Sequence, residues 1–336
     1  MKVMSMNKII PEKLKAGDKV RIIAPSMSMA ILSKETQDIA NQRFNELGLK
    51  LTFSKHIFDC DDFHSSSVQT RLDDLHEAFQ DKAVKGIFTV IGGFNSNQLL
   101  DDIDYELIKN NPKILCGYSD ITALEHAIYA KTGLVTYSGP HYSTFGMKQG
   151  FDWSLDYVKK CLFSNDSYEI NTSSVWSDDA WYLDQDNRNY MSNEGFWVLN
   201  EGQAKGTILG ANLCTLNLLQ GTRYWPSLHN TILFLEDDSL PGEFSAVEFD
   251  RNLQSIIHQP GFDQVKGLLI GRFQKKSDVK HECLLQIIKS KKLLNDIPVI
   301  ANVDFGHTDP MITFPIGGTI HIKAEQADVK IVVIEH

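Results

Sequence analysis

The stretch KILCGYSDITALEHAIYA, residues 113–130, decides the fold of the N-terminal half of the chain. Its first four residues are apolar apart from Lys113, which predicts a buried strand. Apolar residues then recur at helical spacing, at Ile121, Leu124 and Ile128. The sequence therefore predicts a strand, a tight turn and a helix in immediate succession.

Gly117 would allow the sharp turn, and Ser119 or Asp120 would cap the helix that follows. A serine between a strand and a helix has the geometry of a nucleophile elbow, which exposes the hydroxyl beside the N–H groups of the helix. An ordinary N-cap serine produces the same pattern, and Ile121 stands where the usual elbow motif has its second glycine. Ser119 is thus a candidate nucleophile that needs partners.

The same alternation of strands and helices fills residues 1–150. The predicted strands are 19–24, 49–53 and 85–91, and the predicted helices are 33–47 and 68–80. This order predicts a parallel sheet covered on both faces, whose ligands bind beyond the carboxyl ends of the strands. Ser119 lies at one such end, and Gly92 and Gly93 lie at another.

The composition changes after residue 150. Residues 151–200 include a stretch rich in Asp, Asn and Ser with tryptophans and tyrosines interspersed, which predicts a long functional loop: Trp176, Trp181, Tyr182, Tyr190 and Trp197. Residues 201–336 alternate strand and helix signals, and predict a smaller β-rich α+β domain. We therefore expect an α/β domain over 1–150, a loop and linker over 151–200, and a second domain over 201–336.

Composition and charge exclude several classes of protein. The 336 residues are 42% hydrophobic and 23% charged, which is typical of a globular protein rather than a disordered one. The net charge is −10 and the basic residues are dispersed, which disfavours nucleic-acid partners and anionic membrane surfaces. A small or neutral ligand fits this composition better.

Neither a secretion signal nor a metal site is predicted. The N-terminal residues include lysines but no apolar signal segment, and no later stretch approaches the roughly 18 apolar residues of a membrane span, so we expect a cytoplasmic protein. The cysteines are five in number and scattered without a C-x-x-C pair, as expected for reduced thiols. We expect no metal and no organic cofactor.

Two other strand ends carry residues that could assist Ser119. The strand TILFLEDD ends at Glu236, and IPVIANVDFGHTDP places His307 in a turn after a strand. Serine, glutamate and histidine supply a nucleophile, a carboxylate and a base, in the chain order that α/β-hydrolases use. Acidic turns are more often solvated than catalytic, and four other histidines are open as bases: His64, His76, His126 and His141.

Four motifs together resemble the LD-carboxypeptidase family of serine peptidases. They are GYSDITALEHA at 117–127, GGFNSNQLLDDIDY at 92–105, LFLEDD at 233–238 and GHTDPMITFPIG at 306–317. The resemblance covers almost the whole chain. It implies an amidotransferase-like α/β N-terminal domain, a smaller β-rich C-terminal domain, a site between the two domains and a homodimer.

The resemblance also implies roles for individual residues. Ser119 matches the family nucleophile, Glu236 the acid of the triad and His307 the general base. The backbone N–H groups of Gly93 and Asp120 match the oxyanion hole. These roles agree with the residues themselves, since glycine permits close backbone approach and a helix N-terminus favours negative charge.

The substrate stays open between two branches of the family. One branch releases D-alanine from murein tetrapeptide, and the microcin C self-immunity branch cleaves an aminoacyl group from a modified adenylate. The tryptophan-rich segment resembles the loop of the immunity branch, which implies that Trp181, or else Trp176, stacks on a nucleobase; both could instead pack the loop onto the body. Arg272 and Arg223 are candidate anchors for a substrate carboxylate, or plain surface arginines.

A protein of another class would fit part of the pattern. A non-catalytic binder could hold a nucleotide or anion at Gly92, Gly93 and the helix N-terminus, with Ser119 serving only as a cap. The presence of all three triad residue types favours the enzyme.

Overall fold

The computed structural model describes residues 7–336. Residues 1–6, part of the segment inspected for a secretion signal, lie outside the described residues. The strands are β1 Lys19–Ile23, β2 Lys50–Phe53, β3 Val84–Thr89, β4 Ile114–Gly117, β5 Thr136–Ser138, β6 Tyr168–Glu169, β7 Val175–Trp176, β8 Met191–Ser192, β9 Trp197–Asn200, β10 Gly202–Asn212, β11 Thr231–Glu236, β12 Val265–Gly271, β13 Val299–Val303, β14 Phe314–Ile316, β15 Thr319–Ala324 and β16 Lys330–Glu335. The helices are α1 Lys34–Glu46, α2 Val68–Gln80, α3 Tyr105–Asn110, α4 Ile121–Thr132, α5 Tyr142–Phe145, α6 Asp152–Phe163, α7 Leu213–Asn217, α8 Ser245–Ile257 and α9 His281–Lys289.

The first sheet has six strands in the order β14-β5-β4-β3-β1-β2. All neighbours in it are parallel except β14, which pairs antiparallel with β5. Strand β4 is buried along its whole length, as expected for a parallel strand with both faces covered. The predicted parallel α/β architecture of the N-terminal half is confirmed, with one strand contributed from near the other end of the chain.

The second sheet has eight strands in the order β6-β16-β15-β10-β11-β12-β13-β9. Its centre, β10 to β13, is parallel, and antiparallel strands complete both sides. Strands β11 and β13 are buried at every residue. The carboxyl ends of these parallel strands therefore offer a second place where loop residues can be brought together.

Several elements follow directly from local sequence. Helix α2 spans Val68–Gln80 as predicted, and Ser67 caps it by accepting a hydrogen bond from the N–H of Thr70. Helix α1 begins at Lys34 because Ser33 caps it in the same way. These boundaries were predictable because capping depends only on neighbouring residues.

The segment 151–200 is less irregular than the sequence predicts. It contains helix α6 and four short strands, of which β6 and β9 belong to the second sheet and β7 and β8 form a separate hairpin. The longest stretch of this segment without helix or strand is residues 177–190, between β7 and β8; we call them the hairpin loop. The short strands were missed because their hydrogen-bonding partners lie far away in sequence.

Among the helices of residues 7–336, none combines the length and the apolar character that crossing a membrane requires.

Strands β10 and β11 approach each other unusually closely at Gly210. The residue has φ +139°, and an added Cβ atom would lie far inside contact distance of the Phe234 carbonyl oxygen. Gly221 also has a positive φ, of 74°, but an added Cβ atom would have no heavy atom within 4 Å. A side chain at Gly221 would therefore cause backbone strain alone, whereas a side chain at Gly210 would cause both backbone strain and a steric clash.

We therefore expect Gly210→Ala to destabilise the protein much more than Gly221→Ala. The Gly221 variant should lose about 1–2 kcal/mol from backbone strain alone, whereas the Gly210 variant must also separate two central strands. Thermal unfolding of both variants beside the unsubstituted protein measures the difference. Equal losses would contradict the close approach of β10 and β11.

Candidate active site

Ser119 occupies a strained turn between β4 and α4. Its φ is +59°, which is uncommon for a residue with a side chain and is characteristic of functional turns. Gly117 has a different role from the one predicted: it is the last residue of β4, and an added Cβ atom would collide with the Thr89 hydroxyl. The strand therefore needs glycine for packing, and Ser119 itself supplies the positive φ.

Asp120 occupies the N-cap position of α4, but its side chain does not cap the helix as predicted. The carboxylate instead accepts hydrogen bonds from the N–H groups of Asn95 at 3.0 Å and Ser96 at 2.9 Å, and from the Ser26 hydroxyl at 2.6 Å. It thus holds the loop after β3 against the start of α4. The carboxylate of Asp120 thus fixes the loop after β3, whereas the backbone N–H group of Asp120 lies at the turn beside Ser119.

Gly92 and Gly93 lie directly beside the serine. An added Cβ atom on Gly92 would be 3.0 Å from the Cβ atom of Ser119, so a side chain there would crowd the hydroxyl. Gly93 has φ +150° and packs against Ser26 and Met27. Within residues 7–336, the N–H groups of Gly93 and Asp120 donate to no protein acceptor. Two backbone donors are therefore free next to Ser119.

Glu236 is the last residue of β11 and is almost fully buried. In the parallel pairing of β10 with β11 it lies opposite Asn212, whose side-chain amide donates to Oε1 at 3.1 Å. Gly306 has φ +100°, and an added Cβ atom would lie 2.6 Å from Oε2. One carboxylate oxygen is thus held by Asn212, and the other faces the turn that carries His307.

His307 connects the two sheets. Its Nδ1 atom lies 2.7 Å from Oε2 of Glu236, and its Nε2 atom lies 3.1 Å from Oγ of Ser119. These distances fit a tautomer in which Nδ1–H donates to the carboxylate and the serine hydroxyl donates to Nε2. The structure therefore brings together the three residues that the sequence singled out, from the ends of β4 and β11 and the turn after β13.

The charge on Glu236 controls the protonation of His307. Burial disfavours the imidazolium, but Glu236, with help from Asp238 and Asp237, outweighs burial and raises the pKa of His307 to about 9. Burial, reinforced by the charge of Glu236, also raises the pKa of Asp237 to about 7. His307 thus lies in a strongly acidic corner of the molecule.

The other candidate histidines are used elsewhere. His126 is buried in α4, where Nε2 accepts from the N–H of Gly210 at 3.1 Å, and His76 accepts from Asp104. His64 is exposed on a surface turn. His141 lies under the elbow, with its ring 4.3 Å from that of Tyr118 and Nδ1 2.7 Å from the Thr89 hydroxyl.

Tyr118 and His141 form an uncharged wall beside His307. The Tyr118 ring lies 5.5 Å from the His307 ring. Burial lowers the pKa of His141 to about 3, with the charge of His307 acting in the same direction. Burial also raises the pKa of the Tyr118 hydroxyl, to which nearby Asp309 contributes. Both side chains are therefore neutral over the working range of His307.

The hairpin loop is attached next to His307. The backbones of Ser177 and Asp309 exchange two hydrogen bonds of 2.8 Å each, two residues beyond His307. The half-buried Trp181 packs against the core and meets Tyr182 edge to face. Trp176 is covered by the guanidinium of Arg272, whose Cζ atom is 5.1 Å from the indole centre. The two candidate tryptophans thus differ, because one face of Trp176 is already occupied.

Arg272 is not free to anchor a substrate carboxylate in this structure. It is buried, and all three of its nitrogen positions are engaged: Nε with Asn302 at 3.0 Å, Nη1 with Asp304, and Nη2 with Asn193 at 2.8 Å. Arg223, the other candidate, is exposed and pairs with Asp101. The expectation that Arg272 is a carboxylate anchor is corrected accordingly: it joins the hairpin to the second sheet.

Trp176 and Arg272 line a cleft of about 680 Å³ together with Trp197 and His281. Ser119, Glu236 and His307 are not among its lining residues.

Sequence reasoning did not assign a role to Asn212. Its side chain both caps α7, by accepting from the N–H of Thr215, and donates to Glu236. The available signal was an asparagine between a strand and a helix, which predicts a cap but does not reveal what the amide reaches. Only the register of β10 with β11 shows that contact.

Comparison with known proteins gives the family of the chain. The sequence patterns of the LD-carboxypeptidase N-terminal domain and C-terminal domain match residues 20–139 and 205–322. The chain is 54% identical to YocD of Bacillus subtilis, named as a carboxypeptidase, over 96% of this chain and 99% of that protein. It is 31% identical to a B. subtilis protein named as a murein peptide carboxypeptidase, over 91% of this chain and 89% of that one.

Solved structures agree with this result. An MccF-like protein from Bacillus anthracis superposes with a TM-score of 0.97 at 51% identity, covering 98% of this chain and 100% of that one. The microcin C7 self-immunity protein MccF of Escherichia coli is 28% identical over 96% of this chain and 95% of its own length. MccF in complex with aspartyl sulfamoyl adenosine superposes with a TM-score of 0.85 at 27% identity, covering 98% and 99% of the two chains.

Matches over both domains, together with relatives that align over nearly the whole chain, leave one conclusion: the protein belongs to the LD-carboxypeptidase family of serine peptidases and is a hydrolase that acts as a carboxypeptidase.

Proposed function

We propose that Ser119, His307 and Glu236 form the catalytic triad of this carboxypeptidase. The observation that carries the proposal is the unbroken chain of hydrogen bonds from Oγ of Ser119 through the imidazole to Glu236, with distances of 3.1 and 2.7 Å. His307 takes the proton of the hydroxyl as Ser119 attacks the carbonyl carbon of a C-terminal amide. His307 then returns that proton to the leaving amine, and water hydrolyses the acyl-enzyme by the same route.

The free N–H groups of Gly93 and Asp120 would form the oxyanion hole. As the carbonyl carbon becomes tetrahedral, its oxygen gains negative charge, and fixed backbone donors stabilise that charge without rearranging. The Asp120 carboxylate supports this arrangement, because it fixes the loop that carries Gly93 relative to the start of α4. Losing one such donor typically costs about 100- to 1000-fold in rate.

Glu236 has two tasks in this proposal. Its Oε2 atom selects the tautomer of His307 that leaves Nε2 able to accept the serine proton, and its charge stabilises the imidazolium that forms. Asn212 prevents the carboxylate from rotating away by holding Oε1 at 3.1 Å. A buried carboxylate that is fixed in this way loses little free energy to reorganisation during the reaction.

We further propose that the substrates are aminoacyl nucleotides of the microcin C type. MccF, which shares the fold over nearly the full length, binds aspartyl sulfamoyl adenosine. The hairpin loop joins the His307 turn and carries Trp181, whose faces are not covered by Arg272. Murein tetrapeptide is the second candidate, because the B. subtilis relative is named as a murein peptide carboxypeptidase. We also propose that the protein acts as a homodimer and that it acts in the cytoplasm.

Replacement of the nucleophile tests the triad. We expect Ser119→Ala to keep the fold and to reduce turnover by about 10⁴- to 10⁶-fold, since removal of any triad member removes nucleophilic catalysis. The measurement is release of amine from substrate by mass spectrometry, with circular dichroism as the control for folding. Full activity in the folded variant would exclude Ser119 as nucleophile and would favour a non-catalytic role for the elbow.

The pH dependence tests the base. Only neutral His307 accepts a proton, so log kcat/KM should rise with a slope of one and level off near pH 9, the value to which Glu236 raises its pKa. Glu236→Gln removes the charge and leaves burial to lower the pKa, so the ascending limb should move to lower pH while the plateau falls. Asp238→Asn should give a smaller shift in the same direction.

If the ascending limb of the pH profile stays at the same pH in Glu236→Gln, the limb reports a group other than His307.

The substrate is tested by comparing two compounds. Aminoacyl sulfamoyl-adenosine and murein L,D-tetrapeptide are digested side by side, and we expect hydrolysis of the former. Trp181→Ala should raise KM for the adenosine compound by about 5- to 150-fold, the effect of losing one stacked base, and Trp181→Phe should retain most of the affinity. Trp176→Ala should change KM less, because Arg272 covers that indole.

Release of D-alanine alone, with no effect of Trp181→Ala, would assign the protein to murein recycling instead.

A further inference from the structure

Arg188, in the hairpin loop, has its side chain almost completely buried although it carries a charge. Only 1% of that side chain is exposed. Its Nη2 atom lies 3.1 Å from Oδ2 of Asp309, its Nε atom lies 3.5 Å from Asp179, and its Nη1 donates to the carbonyl of Gln149. The guanidinium also lies over the ring of Tyr190, 5.2 Å from its centre. A buried guanidinium with two carboxylate neighbours is held in one position.

Asp309 belongs to the same turn as His307. It is buried, and its backbone is paired with Ser177 at the start of the hairpin loop by two hydrogen bonds. Its carboxylate reaches Arg188 near the end of that loop. A single residue of the His307 turn is thus bound by both ends of the hairpin loop.

The other attachments of the hairpin loop do not involve the His307 turn. The side chain of Gln185 bonds to the carbonyl of Gly146 and the N–H of Lys148, and the amine of Lys148 pairs with Asp186. These contacts join the middle of the loop to the connection between α5 and α6. Of the side-chain contacts described here for the hairpin loop, the ion pair between Arg188 and Asp309 is the one that reaches the turn carrying His307.

Loss of Arg188 would leave the buried carboxylate of Asp309 without its cationic partner. Burial raises the pKa of Asp309 to about 7, and the charge of Arg188 opposes that rise. Without the guanidinium, the carboxylate would be a buried, unpaired group that must take up a proton or move toward water. Either change would disturb the turn that carries His307, which is only two residues away from Asp309.

We propose that Arg188 is a positioning residue for the triad: by holding Asp309, it fixes the turn that keeps His307 in line with Ser119. The proposal rests on the proposed function, because it assumes that His307 activates Ser119. It places the hairpin loop in the reaction as a support of the base, independently of any contact that the loop makes with a substrate.

The test measures how fast Ser119 is phosphonylated by a small fluorophosphonate. In this reaction the serine oxygen bonds to phosphorus, fluoride leaves, and His307 takes the hydroxyl proton. Intact-protein mass spectrometry gives the limiting labelling rate and the half-saturating probe concentration. We expect Arg188→Met to lower the limiting rate by about 10- to 100-fold, since a misplacement of about 1 Å costs that order of rate, with little change in half-saturation. Arg188→Lys should recover part of it.

A matched control and a second variant complete the design. Lys148→Met removes another ion pair of the same loop and should label within about twofold of the unsubstituted protein, because it does not touch the His307 turn. Asp309→Asn keeps the size of the side chain and the backbone bridge but removes the charge, and it decides the question if Arg188→Met does not fold. The double variant should be no slower than the slower single variant, because both changes break one contact.

Labelling of folded Arg188→Met or Asp309→Asn at the original limiting rate would overturn the proposal. A change confined to half-saturation, or effects that multiply in the double variant, would do the same. Failure of the proposed function has a different signature, because the unsubstituted protein would then resist labelling.

Discussion

The hydrogen bonds between helix α4 and strand β10 hold the two sheets in the arrangement on which the site depends. The N–H of Asn212 donates to the Thr122 hydroxyl at 3.3 Å, and the N–H of Gly210 donates to Nε2 of His126 at 3.1 Å. All four residues are buried. Helix α4, which starts beside Ser119, is thereby joined to strand β10, whose last residue, Asn212, donates a hydrogen bond to Glu236. Because interiors are densely packed, a shift of one sheet would be carried directly to the other.

This arrangement divides the work of the site between the sheets. In the proposed mechanism, the first sheet supplies the serine and the two free N–H groups, which stabilise the charge that develops on a substrate. The second supplies Glu236 and His307, of which His307 transfers the proton. Burial around Glu236 lowers the local dielectric constant and strengthens its hydrogen bond to His307. The neighbouring Tyr118 and His141 keep their neutral forms, so they do not compete for the proton.

Local sequence predicted the features that depend on neighbouring residues. The strand, turn and helix around Ser119 and the extents of α1 and α2 are of this kind. Glu236 and His307 were only two of several polar residues at strand ends, and it was the resemblance to a family that singled them out. Their meeting with Ser119 depends on how two sheets pack, which no local pattern encodes. Gly117, Asp120 and Arg272 show the same limit: each was recognised as important, but its actual contacts are with residues distant in sequence.

Ser119 and His307 are separated by 188 positions in the chain. In the proposed triad, the nucleophile therefore leaves the ribosome well before its base during synthesis, and a growing chain has a serine with no histidine to activate it. A fragment released by premature termination, or by a protease acting between the two halves, has the same defect. Under this proposal, hydrolysis of an amide bond begins only after both halves of the chain have been made and have folded together.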